Sequence, residues 1–222
     1  MKIQLSIALS IIICSSLIAS SFAQKQGNEN LYTLDSKVDG IDFKKWPMLY
    51  WQAYVDQYDN KTTDVNDKCY SIKHGSAVFL VNPFRISNAN YECTFTSSNS
   101  FFFPLFSEEC DYADITNDDA LRECVTANNQ FAKGKVFIDG TEMTDLSKYH
   151  FTTDFFKTNL TSNNPFDSVP GSYRALIDGL FVFVKPLPSG NHEIKYSMVQ
   201  IKPSHDNDYA SEITYNLNIQ DK

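Results

Sequence analysis

Short runs of β-branched and aromatic residues, separated by turn-forming residues, recur along most of the chain. Examples are "SAVFLVN" at 76–82, "YECTF" at 91–95 and "FFFPLF" at 101–106. Pro104 inside the third run predicts an edge strand or a bulge. With "SEITYNLNIQ" alternating near the end, eight or more such strands and two helical segments predict a mainly β protein. The expected fold is an antiparallel β-sandwich, jelly-roll or immunoglobulin-like, with two peripheral α-helices.

The first helical segment, at 42–58, is rich in aromatic residues. Pro47 lies near its start, and Trp46, Tyr50 and Trp51 fall on neighbouring stripes of a 3.6-residue period. Such a helix face either packs on the core or offers a stacking surface to sugar rings or lipid. These three aromatic residues are therefore candidate ligand-binding residues.

The second helix is predicted at 116–128, directly after an acidic stretch. Thr116 is the expected N-cap residue. Asp118 and Asp119 lie in the first turn, where carboxylates interact favourably with the helix dipole. Two of the acidic residues in this region thus have a predicted structural role.

The N-terminal residues predict export. A basic residue precedes a mostly apolar run, and Ser21 and Ala23 stand at the minus three and minus one positions of a small-residue cleavage site. We expect a signal peptide at 1–23 cleaved after Ala23, a flexible lead-in at 24–40 and a single β-sandwich domain at 41–222. No later apolar run is long enough to span a bilayer. The expected location is therefore secreted or extracytoplasmic.

The charge balance of the chain restricts its partners. There are 27 acidic and 19 basic residues, which give a net charge of −8. This charge repels phosphate backbones, and no stripe of Lys and Arg relieves it locally. The sequence therefore argues against nucleic acid and is more compatible with an affinity for cations.

Four cysteines remain after the expected cleavage: Cys69, Cys93, Cys110 and Cys124. An even number in an exported chain predicts disulfides, and four cysteines allow three pairings. We favour Cys69 with Cys93 and Cys110 with Cys124, because each pair flanks a segment with the pattern of a local unit. The lack of a CxxC spacing and of a neighbouring histidine argues against zinc.

Two Asn-x-Thr sequences, beginning at Asn60 and Asn159, mark candidate glycosylation sites. Both are expected in surface loops, because acceptor asparagines lie where the glycosylation machinery can reach them.

Four carboxylates, Glu108, Glu109, Asp111 and Asp114, follow the third strand-like run. Several oxygen ligands at close range are what Ca²⁺ prefers, so these residues are candidate calcium ligands, although EF-hand spacing is absent. A solvated acidic turn is the alternative. Two carboxyl groups can also hydrolyse glycosides, but adjacent Glu108 and Glu109 in an extended segment point to opposite faces. Only one of them is therefore expected to face a given pocket.

The order of several motifs resembles a family of exported bacterial and archaeal proteins whose activity is unassigned. The motifs are "GSAVFLVN" followed by "ECTF", "FFPLFSEECDYA" followed by "LREC", "FIDGTEM", "IDGLFVFVKPLPSGNHEIKYS" and a final "ITYNLNI". The resemblance covers most of the chain from about Trp46. It implies a secreted β-rich fold with paired cysteines, and it supplies no catalytic residue.

Two classes of function agree with these observations. The favoured one is a non-enzymatic binding or cell-surface interaction module, whose partner is a surface glycan or a protein. The alternative is an extracytoplasmic carbohydrate-acting hydrolase that uses Glu108 or Glu109. Aromatic residues beside a shallow groove would favour the first class, whereas a cleft holding a glutamate of perturbed pKa near a second carboxylate would favour the second.

Overall fold

The fold is that of a computed structural model, which describes residues 28–59, 69–81, 87–166, 168–201, 203 and 208–222. The predicted signal peptide and the sequon at Asn60 lie outside these residues. The helices of the described residues are α1 (Trp46–Asp59) and α2 (Asp118–Asn129), with short 3-10 helices at Asn28–Asn30, Phe43–Lys45 and Leu146–Tyr149. The strands in chain order are β1 (Lys37–Val38), β2 (Ile41–Asp42), β3 (Ser71–His74), β4 (Ala77–Leu80), β5 (Asn88–Thr96), β6 (Ser100–Asp111), β7 (Ala132–Ile138), β8 (Thr141–Glu142), β9 (His150–Thr152), β10 (Phe156–Leu160), β11 (Gly171–Val184), β12 (Gly190–Gln200) and β13 (Tyr209–Gln220).

Two sheets form the sandwich, which confirms the predicted fold class. The first sheet has the order β10-β11-β6-β4-β3, with β9 also paired to β11, and the second has the order β5-β13-β12-β7-β8. Most pairs are antiparallel, but β4 with β6 and β5 with β13 are parallel. Aromatic rings fill the space between the sheets: Phe103 stacks on Tyr196 at 4.7 Å and Phe101 lies 5.3 Å from Phe95.

The two helices lie on opposite sides of the first sheet, because successive side chains of a strand point to opposite faces. On β11, Phe183 contacts Trp46 of α1, with ring centroids 5.0 Å apart. Asp178 instead contacts α2, through Asn129. The odd-numbered residues of β11 therefore face α1, and the even-numbered residues face α2 and the second sheet.

Helix α1 confirms the first predicted helix, whereas the start of α2 corrects a detail of the second. The N-cap residue is Asn117 and not Thr116: its backbone is extended, and its side-chain oxygen accepts a hydrogen bond from the Ala120 amide at 2.8 Å. The predicted carboxylates Asp118 and Asp119 do lie in the first turn.

Pro104 marks a β-bulge, two residues beyond Phe102, the last residue of β6 that pairs with β4. Pro104 pairs with Phe181 but Phe106 pairs with Leu180, so Leu105 is an extra residue on β6. The Leu105 side chain is buried and lies so close to Gly134 of β7 that a Cβ there would be 2.7 Å from it. The strand then continues to Asp111, so the acidic residues expected in a connection belong partly to β6.

The N-terminal segment differs from the expected flexible lead-in. Leu31 is buried and forms a bridge with Val184, and the Tyr32 amide donates to the Phe183 carbonyl at 2.8 Å. Val38 in β1 is buried as well. The segment was expected to be flexible because it has no apolar period, but its few apolar residues pack beside β11.

Both predicted disulfides are present. Cys69–Cys93 joins the residues before β3 to β5, and therefore links the two sheets. Cys110–Cys124 joins β6 to α2. Two disulfides are typical of proteins in oxidising compartments. Within the described residues, no helix has the length and apolar character needed to cross a membrane.

Candidate binding pocket

The outer edge of β6 is open between Ser107 and Asp111. Strand β4 pairs with β6 only as far as Phe102, and β11 occupies the other edge along the whole length. In the described part of the chain, no strand pairs with the remaining edge. A strand edge of this kind presents unpaired N–H and C=O groups.

The hydrogen-bond pattern shows which residues point to this edge. The Tyr112 amide donates to the Arg174 carbonyl at 3.0 Å, in register with the β6–β11 ladder. In an antiparallel pair the backbone groups of alternate residues face the partner strand. Those of Ser107, Glu109 and Asp111 therefore face away from β11. The Asp111 carbonyl accepts from the Ile115 amide at 3.2 Å.

A pocket of about 300 Å³ lies at this edge. Glu108 and Cys110 point to the α2 side of β6, whereas Glu109 and Asp111 point to the α1 side, yet all four line the pocket. Side chains from both faces of a strand can meet in one pocket only around its edge. We call this site the β6-edge pocket; its lining residues are Trp51, Ser107, Glu108, Glu109, Cys110, Asp111, Asp114, Ile115, Cys124, Phe166 and Ser168.

Glu109 is the most perturbed group of the pocket. Its Oε1 atom is buried and has no hydrogen-bond partner. Burial, followed by the nearby charges of Asp111 and Glu108, raises the pKa of Glu109 from 4.5 to about 9. The side chain is therefore a neutral carboxylic acid at neutral pH, able both to donate and to accept a hydrogen bond.

Asp111 is held by the turn that follows β6. Its side chain accepts a hydrogen bond from the Ala113 amide at 2.7 Å. Burial raises the pKa of Asp111, the bond from Ala113 opposes this shift, and the charge of Asp114 adds to it. The sequence predicted correctly that the four carboxylates lie close together, since all of them line the pocket.

Calcium binding at these carboxylates stays a prediction. Among the described residues, no three or more His, Cys, Asp or Glu side chains are grouped so that they could hold a metal ion. The carboxylates are not grouped in this way because side chains alternate along a strand, so Glu108 and Glu109 point to opposite faces and their oxygens are separated.

An aromatic pair forms one wall of the pocket. Trp51 of α1 stacks on Phe166, with ring centroids 5.1 Å apart and planes 17° from parallel. The Trp51 Nε1 atom is buried without a hydrogen-bond partner. The wall therefore offers an indole donor as well as an apolar surface.

The other two aromatic candidates do not contribute to the pocket. Trp46 is 0% exposed and packs among core rings, so its prediction as a ligand-binding residue is corrected. The Tyr50 ring lies 5.5 Å from Phe79 and 6.0 Å from Phe102. Of the three candidates, only Trp51 lines the pocket, because it points toward Phe166 and not into the sheet.

Asn159 lies on β10 and not in a loop as expected. Its side chain is exposed and accepts a hydrogen bond from the Ser172 hydroxyl at 2.6 Å. Its backbone is covered by Gln52 of α1, whose side-chain amide accepts from the Asn159 amide at 3.0 Å and donates to its carbonyl at 3.2 Å. Glycosylation at this residue stays a prediction.

Ser107, Phe166 and Ser168 are pocket residues that the sequence interpretation missed. Ser107 was missed because the strand was expected to end at Phe106. Phe166 lies in the loop-like segment 162–172, where an isolated aromatic residue carries no period that would reveal its partner. The contact between Phe166 and Trp51 is long-range, and no local pattern encodes it.

Comparison with known proteins adds little to this description. No family model and no curated protein matches the chain. A chain of "Structure of PbICP-C in complex with falcipain-2" is 12% identical, with a TM-score of 0.24, and the match covers 66% of this chain and 100% of that one. A chain of "Solution Structure of Amebosin" is 10% identical, with a TM-score of 0.19, and the match covers 61% and 99%. Similarity at this level supports no argument, and the family resemblance stays a prediction.

Proposed function

We propose that this protein is a non-enzymatic binding module of an oxidising, extracytoplasmic compartment, and that its ligand occupies the β6-edge pocket. The observation that carries the proposal is the position of the pocket, which wraps around a strand edge that has no strand partner in the described residues. Open strand edges are recognised by ligands that supply the missing hydrogen bonds.

The polar groups of the pocket support binding further. Glu109 Oε1 and Trp51 Nε1 are buried and lack hydrogen-bond partners. A buried polar group in this state costs about 1–3 kcal/mol. A ligand that supplies a donor to Glu109 or an acceptor to Trp51 removes this cost, and the flat Trp51 ring contributes apolar contact area.

A screen with a pocket-filling variant tests the proposal. The full chain, with its disulfides intact, is applied to a glycan array and to a phage library of random decapeptides. Ser107→Trp places a large side chain at the pocket, and Thr94→Trp places the same side chain on an exposed position of β5. We expect ligands that bind the wild type and Thr94→Trp but lose binding to Ser107→Trp. The proposal is wrong if neither collection yields a ligand, or if Ser107→Trp binds as the wild type does.

A carbohydrate-acting hydrolase is a second candidate, supported by the state of Glu109. Its pKa of about 9 is suited to a general acid, and Asp111 is two residues away on the same face of β6. The Cα atoms of alternate strand residues are about 6.6 Å apart, and glycosidases need a second carboxyl group about 5–9.5 Å from the acid. The geometry selects Glu109 over Glu108, because Glu108 points to the α2 side.

Release of reducing ends from a panel of polysaccharides tests this second candidate. A hydrolase should lose activity by a factor of about 100 or more in Glu109→Gln, because the general acid is removed. Glu108→Gln is the matched control and should retain activity. If the wild type cleaves no polysaccharide of the panel, the hydrolase is excluded for these substrates.

A further inference from the structure

We propose that the ligand of the β6-edge pocket is an extended polypeptide segment that carries a basic side chain and adds to β6 as a further strand. This inference rests on the proposed function and specifies its partner. The occupant is a segment of another protein, and not a second copy of this chain.

The backbone geometry favours an extended polypeptide over a sugar. Ser107, Glu109 and Asp111 direct their backbone groups outward at every second residue, which gives a repeat of about 6.6 Å. An extended polypeptide has N–H and C=O groups at the same repeat, so it can pair with several of these groups at once. A sugar ring does not carry alternating donors and acceptors with this period.

A second strand edge, on β10, is covered by a side chain, and this contrast supports the inference. On β10, the Gln52 side-chain amide bonds to both the amide and the carbonyl of Asn159, as a paired strand would. This contact blocks strand addition at that point. In the described part of the chain, no side chain covers the outward backbone groups of Ser107 and Glu109 in this way.

The charge of the walls favours a basic side chain. Beside the neutral Glu109, the lining residues include the acidic Glu108, Asp111 and Asp114, and the described walls contain no Lys, Arg or His. The chain as a whole has a net charge of −8. Trp51 adds an aromatic face, on which an ammonium or guanidinium group packs favourably. A Lys or Arg that alternates with apolar residues of a bound strand therefore fits this pocket.

Proline substitution tests the strand pairing directly. Ser107→Pro removes one outward N–H and leaves the ladder to β11 intact, because the Ser107 amide does not face β11. Ser107→Ala is the matched control, since it removes the hydroxyl and keeps the amide. Peptides selected from the random decapeptide library are measured against wild type and both variants.

We expect the selected peptides to be rich in Lys or Arg and poor in Pro. Ser107→Pro should weaken their binding roughly tenfold, and Ser107→Ala by less than about twofold. N-methylation of the peptide gives a second readout that does not depend on the folding of a variant. Methyl groups at alternate residues should abolish binding in one register and leave it nearly unchanged in the other, because only alternate amides face β6.

Several results would overturn the inference. These are the enrichment of neutral or acidic peptides, equal effects of the two methylation registers, and equal binding by Ser107→Pro and Ser107→Ala. Sedimentation of the free protein as a dimer that Ser107→Pro dissociates would assign the edge to a second copy. If glycans but no peptides bind at the pocket, the inference fails and the proposed function stands. If neither binds, both fail.

Discussion

Asn129, the last residue of α2, donates hydrogen bonds from one nitrogen to both the backbone carbonyl and Oδ1 of Asp178, at 2.7 and 2.9 Å. Both residues are buried. The Asp178 side chain also contacts His150 Nε2 at 2.8 Å and accepts from the Thr152 hydroxyl at 2.7 Å. Asp178 thus connects α2, β9 and β11, on the side of β6 to which Glu108 and Cys110 point.

Truncation of Asn129 should destabilise the protein. Asn129→Ala leaves two buried oxygens of Asp178 short of a donor, which is expected to lower the free energy of unfolding by about 1–3 kcal/mol. Gln130→Ala removes an exposed side chain at the next position and should change it by less than about 0.5 kcal/mol. Urea denaturation of the two variants measures the difference. Equal losses would contradict the role assigned to the Asn129–Asp178 contact.

The stability of the wild type relative to Glu109→Gln should fall as the pH rises. The pKa of Glu109 is about 9 in the folded protein and has an ordinary value of 4.5. Between these values the unfolded chain releases a proton that the folded protein retains, so ionisation favours unfolding. The relative free energy of unfolding should decrease by up to about 1.4 kcal/mol per pH unit between about pH 5 and pH 9.

Denaturation of both proteins across this pH range measures the effect. Glu123→Gln, at an exposed position of α2, is the control for the loss of one carboxylate. A pH-independent difference between wild type and Glu109→Gln would show that Glu109 ionises normally in the folded protein.

Loss of the Cys110–Cys124 disulfide should destabilise the fold. The two cysteines are 14 residues apart, and the chain-entropy model assigns about 3 kcal/mol to a loop of this size. The double variant Cys110→Ser, Cys124→Ser should show this loss in denaturant unfolding. Because both cysteines line the β6-edge pocket, binding to the pocket should weaken in the same variant. Unchanged stability would indicate that noncovalent contacts, such as the packing of Leu121 and Val125 and the Asn129–Asp178 hydrogen bonds, are sufficient to hold α2.

Substitutions of the two tryptophans should distinguish a structural role from a binding role. Trp46→Ala is expected to lower the free energy of unfolding by about 3–5 kcal/mol, because a fully buried ring is removed from the core. Trp51→Ala should lower the free energy of unfolding by less, since the ring is partly exposed at the pocket.

A ligand of the pocket should change the tryptophan fluorescence of the wild type and leave that of Trp51→Phe unchanged. A ligand response that persists in Trp51→Phe would place binding elsewhere.

Features that depend on local patterns could be predicted from the sequence. The helix at α1 follows from aromatic spacing, and the pairing of Cys110 with Cys124 follows from the short segment that they flank. The four carboxylates of the pocket were found together because they are neighbours in sequence.

Features that depend on distant parts of the chain could not be predicted. Whether Trp46 or Trp51 reaches the surface depends on how α1 lies on the first sheet, and an aromatic helix with rings on several stripes has no single polar face to reveal this. The open edge of β6 arises because β4 ends early beside a longer strand. Strand length and register depend on both strands of a pair, so neither segment alone predicts them.

The extra residue at Leu105 determines which of two adjacent glutamates faces α1. A β-bulge takes up one extra residue, so the odd and even positions of the sequence exchange sides beyond it. Because Leu105 is an extra residue, Glu109 pairs with Ile177 and points to the side facing α1, whereas an unbroken alternation from Pro104 would have placed Glu108 there. The bulge thus determines that Glu109, and not Glu108, is the neutral acid on the same side of the strand as Trp51. Deletion of Leu105 would place Phe106 directly after Pro104 and still opposite Leu180, so the ladder would become regular and Glu109 would keep its side.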